Sequence, residues 1–264
     1  MNLPVTHELF DQDAEMWWSK NSHCALLASI VPVRLDYLRR IFAEEYGNDF
    51  EKITVLDVGC GGGLFTEEVA RLGYQVTGVD LSPRSIMIAQ RHADQMGLPI
   101  TYRVSSGEEL PFENNTFNVV YCCDVLEHVS DLNTVIAQSA RVLEVGGLYL
   151  FDTINRTWLS KLLMITLVQD WLRVAPQNLH DWKKFITPTE LHTLLVRHGL
   201  EPRDMIGMMP DMHPFTSLKR LVSFLKLKRG KMTYAELGRE MVFQTSRFKF
   251  MNFMGYAIKS KCRS

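Results

Sequence analysis

The sequence predicts an α/β fold built on a mostly parallel sheet, and three observations carry that prediction. Short apolar runs alternate with helix-length amphipathic stretches between positions 53 and 152. The first run, Val55-Leu56-Asp57-Val58, passes directly into Gly59-Cys60-Gly61-Gly62-Gly63 and then into a helical period from Leu64. The second run, Gln75 to Val79, ends on an acid, Asp80. Strands separated by helices of this length imply βαβ units, whose crossovers lay the strands parallel.

Each element follows from its own pattern. Residues 1–50 read as an N-terminal helical cover with an acidic-aromatic segment, Phe10 to Trp18, followed by Pro32-Val33-Arg34-Leu35-Asp36-Tyr37-Leu38. Pro32 suits a first helical turn, and Leu35, Leu38 and Phe42 share one face of the helix. Trp17 and Trp18 are adjacent and cannot both enter one core, so one is expected to cover a pocket mouth. Strands are expected at Ile53 to Val58, Gln75 to Val79, Ile100 to Val104, Phe117 to Cys123 and Leu148 to Asp152. Helices are expected at Leu64 to Leu72, Pro83 to Gln95 and Leu132 to Leu143.

The alternation then breaks. Thr157 to Leu172 is rich in apolar residues, while Thr166, Gln169, Asp170 and Arg173 fall on one face of an α-helix. That is the pattern of an amphipathic segment, so 157–185 reads as a lid or membrane-facing insert. Thr187-Pro188-Thr189-Glu190 is a helix start, with Gly199 as the stop. Glu201 to Met208 reads as a strand. A second, basic insert spans 215–240, where Leu218, Leu221, Val222 and Leu225 form a stripe among Lys219, Arg220, Lys226, Lys228, Arg229 and Lys231. A basic amphipathic helix suits an anionic surface. Phe248 to Lys259 reads as the closing strand.

Composition excludes several classes. The 264 residues carry a net charge of −1, with no global basic excess to attract nucleic acid. The five cysteines form no CxxC pair, which makes a reducing compartment, the cytoplasm, the expected setting. Acidic Glu8, Asp11, Asp13 and Glu15 argue against a transit peptide. No apolar run reaches the roughly 18 residues of a membrane span.

The glycine turn is a nucleotide-binding corner, because glycine lets the backbone approach a ligand where a side chain would collide. The dinucleotide fingerprint needs a sixth-position glycine, and here that position is Leu64. The spacing present, Asp57-x-Gly59-x-Gly61-x-Gly63, resembles motif I of class I S-adenosylmethionine (SAM)-dependent methyltransferases. Asp80 stands about 20 residues beyond the turn, where an acid accepts both hydrogens of a ribose diol. Leu81 follows it. After the third strand, Gly107 and Glu108 in Ser106-Gly107-Glu108-Glu109-Leu110-Pro111-Phe112 are candidate adenine contacts.

The fourth strand ends in Cys122-Cys123-Asp124-Val125-Leu126-Glu127-His128. Asp124, Glu127 and His128 share one face if the turn is helical. Two carboxylates and an imidazole suit Mg²⁺, Mn²⁺ or Zn²⁺; alternatively His128 is a general base. His180 with Asp181 is a second polar cluster that could activate a hydroxyl.

Taken together, these segments resemble the ubiquinone-biosynthesis O-methyltransferases, which methylate polyprenylated catechol and demethylubiquinone intermediates. The resemblance covers Phe10 with Trp17-Trp18, the segment around Arg34, the glycine turn, and Leu126-Glu127-His128-Val129. It continues through Thr153-Ile154-Asn155-Arg156, Leu172 to Pro176 and His180 to Ile186. It implies that Arg34 reaches the SAM carboxylate, Gly59 the methionine moiety and Asp80 the ribose. Cys123 would contribute the contact made just after the fourth strand. The family's Glu-x-x-Glu-His, associated with a divalent ion, maps to Asp124, Glu127 and His128. The segment at 157–175 matches a family segment associated with membrane lipid. The basic insert is longer than the family pattern.

These readings together predict one Rossmann-like methyltransferase domain over 1–264, with a seven-stranded sheet whose last strand is antiparallel. SAM is the expected methyl donor, with Mg²⁺ or Zn²⁺ as a further expectation. The expected acceptor is a small hydrophobic phenol, with no nucleic acid and possible contact with a membrane surface. A methyltransferase of a specialised acceptor and a non-catalytic SAM-fold scaffold are the alternatives, while Leu64 disfavours an NAD dehydrogenase.

Overall fold

The computed structural model describes residues 14–47, 53–176, 178–211 and 213–260. Phe10 to Asp13 of the acidic-aromatic segment and the side chain of Leu218 lie outside the described residues. One sheet runs through the molecule in the order β3-β2-β1-β4-β5-β8-β6-β7. Its strands are β1 (Thr54–Val58), β2 (Gln75–Asp80), β3 (Thr101–Val104), β4 (Phe117–Cys123), β5 (Leu143–Ile154), β6 (Leu200–Pro210), β7 (Phe243–Ser246) and β8 (Asn252–Lys259). The first five are parallel, and β8 enters antiparallel between β5 and β6.

The apolar runs are explained by burial on both faces. Val55 packs with Ile41, Phe42, Val69 and Val76 on one side. Leu56 and Val58 pack with Val79, Val120, Val135 and Ile136 on the other. The first layer is covered by α1 (Val31–Tyr46), α2 (Leu64–Ala70) and α3 (Pro83–Met96); the second by α4 (Leu132–Val142) and α5 (Pro188–Arg197). Local chemistry sets the starts of these helices. The Ser82 hydroxyl accepts from Ser85 N–H at α3, and Asp131 accepts from Asn133 and Thr134 N–H at α4. Thr187 and Glu190 form the reciprocal capping box at α5.

Strand order reverses between β1 and β4, so their carboxyl ends open a crevice where α/β sheets bind ligands. The register places Asp57 opposite Tyr121, and Cys123 opposite Asp152, at that edge.

Three expectations need correction. The sheet has eight strands rather than seven, because the second insert, α6 (Pro214–Lys228) and α7 (Tyr234–Glu240), returns the chain to the sheet edge as β7 against β6. The closing strand therefore begins at Asn252 rather than Phe248. The segment after Thr157 is one α-turn followed by a π-helix, Lys161–Trp171. Its i→i+5 winding changes which residues share a face. Gln169 is consequently buried, while Leu162 and Trp171 are exposed.

Candidate active site

The glycine turn is locked to the end of β2. Gly59 and Cys60 N–H both donate to the Val79 carbonyl, at 2.8 and 3.0 Å. Gly61 N–H donates to Asp80 Oδ2 at 2.9 Å, and Ser82 N–H to Asp80 Oδ1 at 2.9 Å. Gly59 and Gly61 have φ of +80° and +52°, and a Cβ on either would collide with Val125 or with the Trp17 ring. Trp17 lines the cavity, with Nε1 donating to Ser85 Oγ at 2.9 Å. Trp18 instead stacks on His92 and donates to the Gly62 carbonyl. One tryptophan thus covers the turn and the other braces it from outside.

Asp57 is buried beneath the turn and accepts from Thr66 Oγ1 at 2.5 Å and Tyr121 OH at 2.9 Å. Burial pushes its carboxyl up to about 7 against these two hydrogen bonds. Both bonds fall on Oδ2 and fix the carboxylate beneath the turn.

Arg34 enters the crevice from α1 and is buried. Its Nε donates to Asp152 Oδ2 at 2.6 Å and its Nη2 to Asp152 Oδ1 at 2.8 Å, while Asp124 Oδ2 lies 2.5 Å from Nη2. Burial alone would lower the guanidinium pKa, but Asp124 and Asp152 hold it raised. Asp152 was not among the predicted site residues. It ends a strand pattern indistinguishable from that of a core strand, and only the register against Cys123 brings it here.

Glu127 is buried and accepts from Thr153 Oγ1 at 2.8 Å. Burial and the neighbouring Asp124 push its carboxyl up to about 8. The rings of His128 and His180 lie 5.5 Å apart, centroid to centroid. Desolvation lowers His180 to about 4, and its Nδ1 is buried with no hydrogen-bond partner. His180 N–H donates to Gln169 Oε1 at 3.0 Å. An α-helical period places Gln169 on the polar face with Thr166 and Asp170, whereas in the π-helix it is buried.

The implied metal set does not assemble. Among the described residues, no three His, Cys, Asp or Glu side chains are grouped to hold a metal ion. Asp124 is turned to Arg34 and Glu127 to Thr153, so Asp124, Glu127 and His128 do not fit a resident divalent ion in this arrangement.

Glu108 also has a different immediate task from the one expected of it. Its Oε1 accepts from Ser130 and Asp131 N–H at 2.9 and 3.0 Å, and its Oε2 from Ser106 Oγ at 2.8 Å. These bonds, which lower its pKa despite partial burial, tie the loop after β3 to the start of α4. Gly107 packs against Val58 beside it.

One cavity of about 570 Å³ joins these parts. Arg34, Asp57, Gly59, Gly61, Asp80, Leu81, Gly107, Glu108, Cys123, Asp124, Glu127, His128 and His180 all line it. Apolar residues of both inserts also line it: Leu163, Met164 and Leu167 of the π-helix, and Leu221 and Phe224 of α6. The basic insert is therefore part of the cavity wall.

A family model described as a methyltransferase domain matches residues 56–151. A ubiquinone biosynthesis O-methyltransferase of Cereibacter sphaeroides is 40% identical over 212 residues, covering 78% of this chain and 86% of that protein. The chain belongs to the ubiquinone biosynthesis O-methyltransferase family. Another protein of that name, from Paramagnetospirillum magneticum, is 39% identical over 208 residues, covering 75% of this chain and 82% of its own. A solved structure of geranyl diphosphate methyltransferase in complex with SAM superposes with a TM-score of 0.58 at 22% identity, covering 86% of each chain. A geranyl diphosphate C-methyltransferase from Streptomyces coelicolor A3(2) gives 0.59 at 20% identity, covering 86% of this chain and 80% of that one. At such identities the likeness is one of fold. The 212 residues matched to the Cereibacter sphaeroides protein extend well beyond the methyltransferase-domain match over 56–151.

Proposed function

We propose that this chain is a SAM-dependent O-methyltransferase acting on a phenol or catechol hydroxyl of a hydrophobic, polyprenylated quinone precursor in ubiquinone-type biosynthesis. The observation that carries this reading is the single cavity with two chemically different kinds of lining. Its lining joins the glycine turn, Asp80 and Arg34 to apolar side chains of the two inserts, and includes His128 and His180. Bound SAM supplies an electrophilic methyl group on a sulfonium.

The protein's own groups do the rest. Asp80, at the end of β2 on the cavity wall, holds a ribose diol, and Arg34 faces a carboxylate. Gly59, Gly61, Leu81, Gly107 and Cys123 line the donor's end, which brings donor and acceptor together and contributes proximity. A phenol has a pKa near 10, so its oxygen must shed a proton as it is methylated. His128 is placed on the cavity wall to accept the hydroxyl hydrogen, and His180, whose ring lies 5.5 Å away, is the second candidate. Glu127, held neutral by burial, keeps a repelling negative charge away from the developing phenolate. The whole of 1–264 acts as one methyltransferase domain in this reading.

Incubation with labelled SAM and a panel of prenylated and unprenylated catechols tests the proposal. Methyl transfer to a catechol hydroxyl, faster with a prenyl tail, is expected. No transfer to any catechol, or transfer only to nitrogen or carbon acceptors, would overturn it.

A cytoplasmic membrane surface is the proposed setting. No helix among the described residues is long and apolar enough to cross a membrane. Trp158, Leu162, Trp171 and Phe215 nevertheless expose large apolar surfaces on the two inserts, and lysines flank the stripe on α6. Apolar side chains ringed by lysines suit an anionic interface. Flotation with anionic vesicles is expected to recover the protein, and W158S/F215S to lose it.

A further inference from the structure

We propose that Asp124 is a place-holder on Arg34, and that the guanidinium exchanges Asp124 for the carboxylate of the methyl donor while keeping Asp152. This deepens the reading of the cavity as a SAM site and rests on it.

A guanidinium offers carboxylates two forks. Asp152 fills the Nε/Nη2 fork of Arg34 with bonds of 2.6 and 2.8 Å. The other edge makes no hydrogen bond: Asp124 Oδ2 sits 2.5 Å from Nη2 as an ion pair, and Nη1 donates to no described residue. A second carboxylate can close the Nη1/Nη2 fork only if Asp124 moves away from Nη2.

Charge favours the exchange over addition. Two carboxylates already oppose one guanidinium, and a third within the same few ångströms would leave a net charge of −2 in a poorly solvated site. The two present partners are not equivalent. Asp152 is 1% exposed and its Oδ1 also accepts the Asp124 N–H at 3.0 Å, so it is fixed. Asp124 is 23% exposed and lines the cavity, so its carboxylate can be resolvated there. Its backbone lies at φ +54°, a conformation that Asp and Asn tolerate better than most residues. The arrangement preorganises Arg34 on one edge and keeps its other edge neutralised by a group that can leave. Asp124 is thus a positioning residue acting through Arg34.

The test is calorimetric binding of two ligands to the full chain. S-Adenosylhomocysteine carries the amino-acid carboxylate; 5′-deoxy-5′-methylthioadenosine lacks it. The readout is the ratio of their affinities, which a general loss of fold would not move selectively. D124N and D124G, both suited to positive φ, are expected to raise this ratio about tenfold, the scale of one close ion pair no longer competed for. D124E, which keeps the charge, is expected to stay near the wild-type ratio. An unchanged or lower ratio in both D124N and D124G overturns the proposal, as does an equal gain for both ligands. R34A separates the two readings. If R34A leaves the ratio unchanged, Arg34 is not the carboxylate site, and the failure lies with the site assignment rather than with the exchange.

Discussion

Arg34 and Asp152 meet edge to edge across 118 residues of chain, through two parallel hydrogen bonds of 2.6 and 2.8 Å, with both side chains almost fully buried. The pair pins the cover helix α1 to the carboxyl end of β5, so one interaction joins the N-terminal segment to the sheet and shapes the cavity floor. Buried pairs of this kind are costly to break from one side, because the remaining charge stays desolvated.

D152A should therefore destabilise the protein by about 3 kcal/mol or more, the range for a buried charge left without its partner. Urea unfolding measures it. A loss below about 1 kcal/mol, the range of exposed pairs, would mean that Asp124 alone satisfies Arg34.

Asp57 gives stability a pH dependence of definite sign. Its folded carboxyl is pushed up to about 7 from the ordinary 3.8, by burial first. Between those values the folded state holds a proton that the unfolded chain has released. Stability therefore falls as pH rises through this window, with a slope of at most about 1.4 kcal/mol per pH unit from this group. The Asn in D57N can still accept from Thr66 and Tyr121 but does not titrate. Its unfolding free energy should vary less than that of the wild type between about pH 4 and 7. Parallel curves for the two proteins would remove Asp57 as the source.

Much of this site could be read from residue order, because the glycine turn, Asp80 and the Thr187 capping box are local devices. Their partners lie within a few residues or one βαβ unit, and spacing alone brings them together. Asp152 and Gln169 were missed for a different reason. Asp152 acquires its role from a parallel register against β4 and from a helix far back in the chain. Gln169 faces inward only because Lys161–Trp171 winds as a π-helix, a choice the 3.6-residue period does not encode. The implied ligand set of Asp124, Glu127 and His128 shows the converse. Its spacing is local, but long-range partners, Arg34 and Thr153, engage its two carboxylates.

On the proposed reading, His128 takes a proton rather than holding the donor. H128A should lower kcat by about 10²–10⁴-fold, the usual contribution of a positioned base, while leaving S-adenosylhomocysteine affinity unchanged. Stopped assays at saturating donor, paired with calorimetry, separate the two effects. Unaltered kcat in H128A would transfer the role to His180, whose ring lies 5.5 Å away.

The apolar lining of the cavity decides what the enzyme accepts on the proposed reading, and the two inserts contribute to it. Leu167 comes from the π-helix and Phe224 from α6, and both line the same space as the glycine turn. Filling the space beside them should therefore penalise a long tail without touching donor binding. L167W adds bulk to the wall, and each buried methylene denied to a prenyl chain costs about 0.8 kcal/mol. L167W should raise KM for a polyprenylated catechol by tenfold or more while leaving kcat/KM for an unprenylated catechol within about twofold. F224A enlarges the same space and should narrow the preference between short and long tails. If L167W and F224A change both substrates equally, the tail does not lie between the two inserts, and the acceptor must enter from the His128 side of the cavity instead.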